Sequence, residues 1–341
     1  MAIILPMKVS ELGEFGLIEL LSEVVPQGSR EHRILAGIGD DAAAWRSDDS
    51  VVLATIDALV EGVHFAVGSP WWELGWKAVA VNLSDIAAMG GIPRYALVAL
   101  SLPGDTEADS VVQLYRGMAE LGNQFDVAVV GGNITSAPVT TITMTVIGQG
   151  QNEGILTRSK AVTGDLVAVT GYLGSAAAGL KMLTRGLRFA PETADFLRKA
   201  HLQPQPRVAQ GQLLVKCGVR AAIDISDGLM ADLGHLCKAS RVGATIAVEQ
   251  VPIHPLMRTA FPEDSLDFAL TGGEDYELLF TADRQTVNGA KAQIEASAIG
   301  DDCPVTIVGE VTEGEGVSLL AKDGRPFHVA RGGWDHFKKG G

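Results

Sequence analysis

The sequence is poor in most of the features that announce a function. It contains only three cysteines, Cys217, Cys237 and Cys303, far apart and in no C-x-x-C pair. That argues against a disulfide framework or a structural zinc site and fits a reducing compartment. Lysine and arginine total 27 against 41 acidic residues, giving a net charge of −14. No basic stripe is present to meet a nucleic-acid backbone or an anionic membrane surface, so neither is expected as a partner. No apolar run approaches the roughly 20 residues needed to span a bilayer. The start, MAIILPMKVSELGEF, has a short apolar patch broken by Pro6 and no basic lead, and it reads poorly as a signal peptide. The expectation is a soluble, cytoplasmic protein. Several catalytic signatures are also missing: there is no G-x-x-x-x-G-K-[ST] loop, no H-R-D or D-F-G, no G-x-S-x-G and no H-E-x-x-H.

What is present is a long, fairly apolar chain: 341 residues, 47% hydrophobic, with 40 glycines. That length supports about two domains and many tight turns. A seam near residue 150 divides the chain into 1–150 and 151–341. In the first part, GEFGLIELL (13–21) predicts a helix and VVLATID (51–57) a strand ending on Asp57. WWELGWKAVAVNLSDIAAMGG (71–91) carries Trp72, Trp76, Val79, Leu83 and Ile86 at spacings of three and four, an amphipathic helix stopped by Gly90, Gly91 and Pro93. RYALVALSLP (94–103) reads as a strand, 109–125 as a helix, DVAVVGGN (126–133) as a short buried strand and 139–150 as a strand. In the second part, 164–183 and 221–240 each read as strand, turn, helix, and 270–282 as a turn into a strand. Elements alternate in both parts, which predicts two α/β-type domains.

The informative feature is where the acids fall. Asp40 and Asp41 stand side by side in GIGDDAAAW. Asp57 closes LATID, Asp85 lies in NLSD late in a helix, and Asp224 and Asp227 punctuate AAIDISDG. Glu274 and Asp275 follow TGG. Any one of them alone reads as a cap or a solvated turn, and Asp227 could serve its helix start with Ser226. Together, at element ends that can converge, they would repel one another unless cations neutralised them. Magnesium takes oxygen ligands and shares its shell between carboxylates and substrate phosphates, so a metal cradle for a polyphosphate is the expected chemistry. GYLGSAAAG (171–179) reads as a tight turn with close helix packing, and less strongly as an anion site. His64 and Trp334 are single residues that ordinarily pack, although a Trp face can also stack on a flat heterocycle.

Taken in order, GIGDDAAAW, TIDALVEGVHF, KAVAVNLSDIAAMGGIPRYALVALSLP, VVGGNIT, GILTRSKAVTGDLVAVTGYLGSAAAGL, IDISDGLMADLGHL, LTGGEDYELLFT and GWDHF resemble the thiamine-monophosphate kinase family over nearly the whole chain. Aminoimidazole ribonucleotide synthetase, selenophosphate synthetase and a hydrogenase maturation factor belong to the same wider group. The resemblance implies an α+β fold, with an N-terminal sheet domain that dimerises and a C-terminal α/β domain. It places ATP, as co-substrate, and several Mg²⁺ ions in the cleft between the domains. The implied activity is phosphorylation of thiamine monophosphate to the diphosphate, with Asp57, Asp85 and Asp224 central to it. The implied metal positions are Asp40, Thr55, Ile56 (through its backbone), Asp57, Asp85, Asn133, Asp224 and Asp227. Nucleotide contacts fall on Gly132, Asn133, Arg158, Ser226 and Tyr115. Contacts to the thiamine phosphate fall on His64, Glu274 or Asp275, and Trp334. Many relatives carry Asp where this chain has Asn133. A neutral amide oxygen can still ligate magnesium, with one negative charge fewer.

Overall fold

The computed structural model describes residues 8–24, 33–48, 50–151, 154–297 and 303–329; residues 1–7 of the apolar start and Trp334 lie outside the described residues. The first described helix is α1 (Val9–Val24). A six-stranded sheet follows from β1 (Ile34–Ala36), β2 (Ala43–Ser47), β3 (Ser50–Val60), β4 (Ile92–Leu102), β5 (Ala128–Ser136) and β6 (Thr141–Gln149), in the order β1-β2-β3-β6-β4-β5. Helix α2 (Trp71–Ala88) connects β3 to β4, and α3 (Ala108–Gln124) connects β4 to β5, which runs parallel to β4. The two helices pack on each other, with α2 on β3 and β6 and α3 on β5. Glycine permits the close approach. A Cβ on Gly75 would lie 1.9 Å from the Leu114 carbonyl oxygen, and one on Gly117 would lie 1.9 Å from that of Trp72. Gly117→Ala is therefore expected to cost about 1–3 kcal/mol by overpacking, read as a lowered urea midpoint. An unchanged midpoint would show that the helices separate freely.

The second sheet comprises β7 (Leu166–Thr170), β8 (Ala221–Asp224), β9 (Gly243–Ala247), β10 (Leu278–Ala282), β11 (Val305–Thr312), β12 (Gly316–Leu320) and β13 (Pro326–Phe327), in the order β13-β12-β9-β11-β7-β10-β8. Between its strands run α4 (Ser175–Arg185), α5 (Pro191–Leu202), α6 (Val208–Lys216), α7 (Leu229–Ser240), α8 (Pro255–Ala260), α9 (Ser265–Thr271) and α10 (Arg284–Ala296). Helices separate the strands along the chain as far as β11, yet among the described strands of this sheet only β9 and β12 pair in parallel. The class is α+β: two domains, each a mixed sheet with helices against it. No helix among the described residues is long and apolar enough to cross a membrane.

Two expectations need correction. Helix α2 is not amphipathic in its burial: all of it except Trp71, Trp72 and Asp85 is buried. The second domain covers the side that the first sheet leaves open, and one apolar core runs from Leu83 and Ile86 through Leu214 to Phe280. Helices enclosed on all sides lose the polar face that a surface helix shows. Likewise, β5 is not buried. It is an edge strand, and Val130 and Ile134 are 58% and 65% exposed because nothing among the described residues covers them.

Candidate active site

A cleft of about 1020 Å³ opens between the domains. From the first domain Asp57, Lys77 and Asp85 line it; from the second come Asp224, Ser226, Asp227 and Glu274. Asp57 lies within β3, which continues three residues further to Val60, rather than at its end. Strand alternation then decides which neighbours join it. Thr55 points inward and its hydroxyl donates to the Asp85 carboxylate, whereas Ile56 points outward and is 64% exposed. Asp85 sits in the last turn of α2. The preceding residue, Ser84, donates from Oγ to Asp224 Oδ2 at 2.7 Å, tying the end of β8 to the same helix.

GIGDDAAAW resolves into two different jobs. Asp40 Oδ1 accepts the Arg158 backbone N–H at 2.8 Å. Asp41 takes the Arg158 guanidinium in a two-point bond, with Nη2 at 2.6 Å and Nε at 3.2 Å from its two oxygens. The adjacent acids thus clasp one segment of the second domain, and the Asp41 side chain is fully enclosed. One oxygen each of Asp41, Asp85 and Asp224 lies within 4.8 Å of the others. Burial pushes the Asp85 carboxyl well above its ordinary range, and the charges of Asp57, Asp224 and Asp41 push it further. Asp224 is raised in the same way, by burial and then by Asp41. Burial also raises Asp57, and brings Asp40 to about 6. Crowded oxygen donors whose ionisation is resisted by burial and mutual repulsion fit a divalent cation.

The ISDG turn is shaped by a residue the motif reading passed over. Asp232 Oδ2, buried on α7, accepts the backbone N–H groups of Ser226, Asp227 and Gly228, each at 3.0 Å. Neither Ser226 nor Asp227 caps α7, which Gly228 precedes. Both are instead held facing the cleft. An acid five residues after Asp227, inside the first turn of the next helix, was the available signal.

The GGEDYE loop sends its three acids to three different sets of partners. Glu274 lines the cleft, with Lys77 Nζ 2.6 Å from Oε1 and His201 Nδ1 3.1 Å from Oε2. Burial alone would raise this carboxyl, but Lys77 and His201 together hold it down at about 2. Asp275 turns away and accepts from Gly174 N at 2.5 Å and Ala176 N at 3.2 Å. The acceptor at the start of α4, in the GYLGSAAAG stretch, is therefore the chain's own Asp275 carboxyl group, whose pKa burial pushes up to about 8. Glu277 receives the Arg207 fork and the Thr170 hydroxyl. Lys77 and His201 were not singled out from the sequence. A lone lysine inside the apolar KAVAVNL run was a signal for the first; nothing marked the second.

The other expected positions do not all meet in the cleft. His64 lines it, with Nδ1 accepting the Val60 N–H at 3.0 Å. Ile56, Gly132 and Asn133 share a shallow depression of about 330 Å³ on the outer face of the first sheet. Tyr115 is partly buried against the first domain's core.

This fold and cleft define a protein of the AIR synthase-related class. Residues 39–150 match the family "AIR synthase related protein, N-terminal domain", and residues 162–322 match its C-terminal counterpart. Within that class the chain belongs to the thiamine-monophosphate kinase family. It is 39% identical to the thiamine-monophosphate kinase of Escherichia coli K12 over 95% of this chain and 98% of that one. Among solved structures, AaThiL complexed with AMPPCP and TMP superposes with a TM-score of 0.83 at 34% identity, covering 97% of this chain and 99% of the other. Thiamine-monophosphate kinase from Stenotrophomonas maltophilia K279a gives 0.75 at 36% identity, covering 93% and 98%.

Proposed function

We propose that this protein transfers the γ-phosphoryl group of ATP to the phosphate of thiamine monophosphate, giving thiamine diphosphate and ADP. The observation that carries this reading is the convergence of Asp57, Asp85 and Asp224 in one cleft, with Asp41 enclosed beside the last two, in a chain belonging to this family. An acceptor phosphate oxygen forms the new P–O bond as the bond between the γ-phosphorus and the oxygen left on ADP breaks. A phosphomonoester has a second pKa near ~6, so the acceptor is already largely a dianion at neutral pH and needs no general base. The obstacle is repulsion between two anions, and phosphoryl transfer is dominated by positioning and electrostatics. Asp41, Asp85 and Asp224, with Asp40, Asp57, Asp227 and Thr55 around them, would hold Mg²⁺, which when bound supplies the positive charge that screens donor and acceptor. The Ile56 carbonyl and Asn133 would extend this set toward the nucleotide phosphates, beside Gly132, Ser226, Arg158 and Tyr115. His64, Glu274 and Trp334 would meet the thiamine end.

The open sheet face deepens the proposal. Ile56, Tyr95 and Leu97 are each more than two-fifths exposed on one apolar surface. A second copy of the chain covers it in our reading, forming a homodimer, and Leu97→Asp should yield monomers by light scattering. The three cysteines are thiols, which suits the reducing, ATP-rich cytoplasm where we place the reaction.

The direct test resolves thiamine species after incubation with ATP, Mg²⁺ and thiamine monophosphate, with free thiamine as the parallel acceptor. Diphosphate formed only from the monophosphate, and lost on chelation, is expected. No diphosphate from folded, ATP-binding protein would sink the reading. Stability gives a second check. Asp85 and Asp224 have native pKa values raised above the unfolded value, so their contribution favours the metal-free native state at low pH and is lost as pH rises through those values. Mg²⁺ should therefore raise the melting temperature more at about pH 8 than at about pH 5.5. At a hundredfold excess over its Kd the gain is about 2.7 kcal/mol. An Mg²⁺ effect independent of pH would argue against these ligands.

A further inference from the structure

The cleft has a second charged feature besides the carboxylate cluster. Lys77 is 1% exposed and belongs to α2. Lys77, Val81 and Asp85 follow one another at four-residue spacing and all line the cleft. Lys77 therefore stands two turns, about 12 Å along the helix axis, before Asp85. The cleft wall also includes Leu74, Leu180 and Leu183, a surface suited to an organic ring.

Lys77 addresses Glu274. Its Nζ is 2.6 Å from Oε1, while His201 Nδ1 is 3.1 Å from Oε2, so each carboxylate oxygen has a basic group beside it. The pair crosses the domain boundary, from the helix under the first sheet to the loop before β10. The Glu274 backbone is left-handed, with φ of 68°, and its N–H donates to the Ser226 carbonyl at 2.8 Å. A side chain beside glycines, in a conformation that glycine adopts more easily, is held by its partners. A buried ion pair adds little net stability over apolar replacements of similar size. Its presence in a ligand cleft calls for a reason other than stability.

We propose that Lys77 is a positioning residue for the acceptor: it fixes Glu274 across the domain boundary, so that the carboxylate forms the wall on which the acceptor's cationic heteroaromatic ring rests. The proposal builds on the function proposed above, and a binding measurement separates the two. Calorimetric titrations with thiamine monophosphate and, separately, with a non-hydrolysable ATP analogue would compare wild type, Lys77→Met, Lys77→Arg, Glu274→Gln and the double variant Lys77→Met/Glu274→Gln. Lys77→Met should weaken thiamine monophosphate about 10- to 100-fold and the ATP analogue less than about twofold, with Lys77→Arg recovering part of the loss. The double variant removes both charges, so it leaves no unpaired buried ion even if Lys77→Met alone folds poorly. It should bind thiamine monophosphate no more weakly than Glu274→Gln, because Lys77 acts through that carboxylate. Unchanged acceptor binding in Lys77→Met, equal weakening of both ligands, or additive losses in the double variant would each overturn the proposal. Wild-type protein that binds no thiamine monophosphate would overturn the functional reading and this proposal with it.

Discussion

Asp85→Asn should lower kcat/KM by about a thousandfold or more while making the metal-free protein more stable, not less. The two effects have one cause. Burial opposes the ionisation of Asp85, and the charges of Asp57, Asp224 and Asp41, which it faces, oppose it further. Asparagine keeps the shape and can still accept the Thr55 hydroxyl bond, but it removes one charge from the cluster. Without metal, that relieves repulsion. With metal, it removes an anionic ligand, so the stabilisation by Mg²⁺ should shrink together with turnover. Thermal melts with and without Mg²⁺, beside product assays, read both. A folded Asp85→Asn variant with near-normal turnover and an intact Mg²⁺ response would remove Asp85 from the metal site. A merely structural aspartate would instead lose stability in both conditions.

Arg158→Ala is the second large effect, and it is a matter of stability. The guanidinium is mostly enclosed and its partner Asp41 is wholly so. Burial works against a charged arginine, but Asp41 outweighs it and keeps Arg158 protonated. Removing one member of a buried pair leaves the other uncompensated, at a cost of about 3–5 kcal/mol. The loss should be smaller in Mg²⁺, which supplies an alternative counter-charge to Asp41. Lys at 158 should recover only part, because an ammonium cannot reproduce the two-point bond. The control is Lys199→Ala, which breaks an exposed pair with Asp195 one turn away on α5 and should cost only about 0.3–0.5 kcal/mol. Urea midpoints for the two variants give the comparison. Equal small losses would mean that the Arg158 clasp does not hold the domains together.

Much of the fold was legible because local patterns agreed with their surroundings. The periodicity of 109–125 gave α3, and the alternation in 139–150 gave β6. Asp224 stands at a strand end, as its motif implies. Errors arose where burial depends on what packs from far along the chain. The 71–91 run shows helical spacing, but spacing cannot announce that a second domain will cover the helix's other side. VVGGN looks like an interior strand, yet its place in the strand order leaves it at an open edge.

The candidate site divides in the same way. The sequence by itself determined the carboxylate inventory, the order of the motifs, the family they belong to and the absence of a general-base signature, since these depend only on residue identity and spacing. The tertiary structure alone decided which acids meet. It put Asp41 with Asp85 and Asp224, turned Asp275 onto the start of α4 and left Glu274 in the cleft. It also brought forward Lys77, His201 and Asp232, residues that belong to no motif by themselves. The physical reason is that charges interact through space over a few ångströms. Chain folding sets those distances, so Lys77 and Glu274 can form a pair although 197 positions separate them in the sequence.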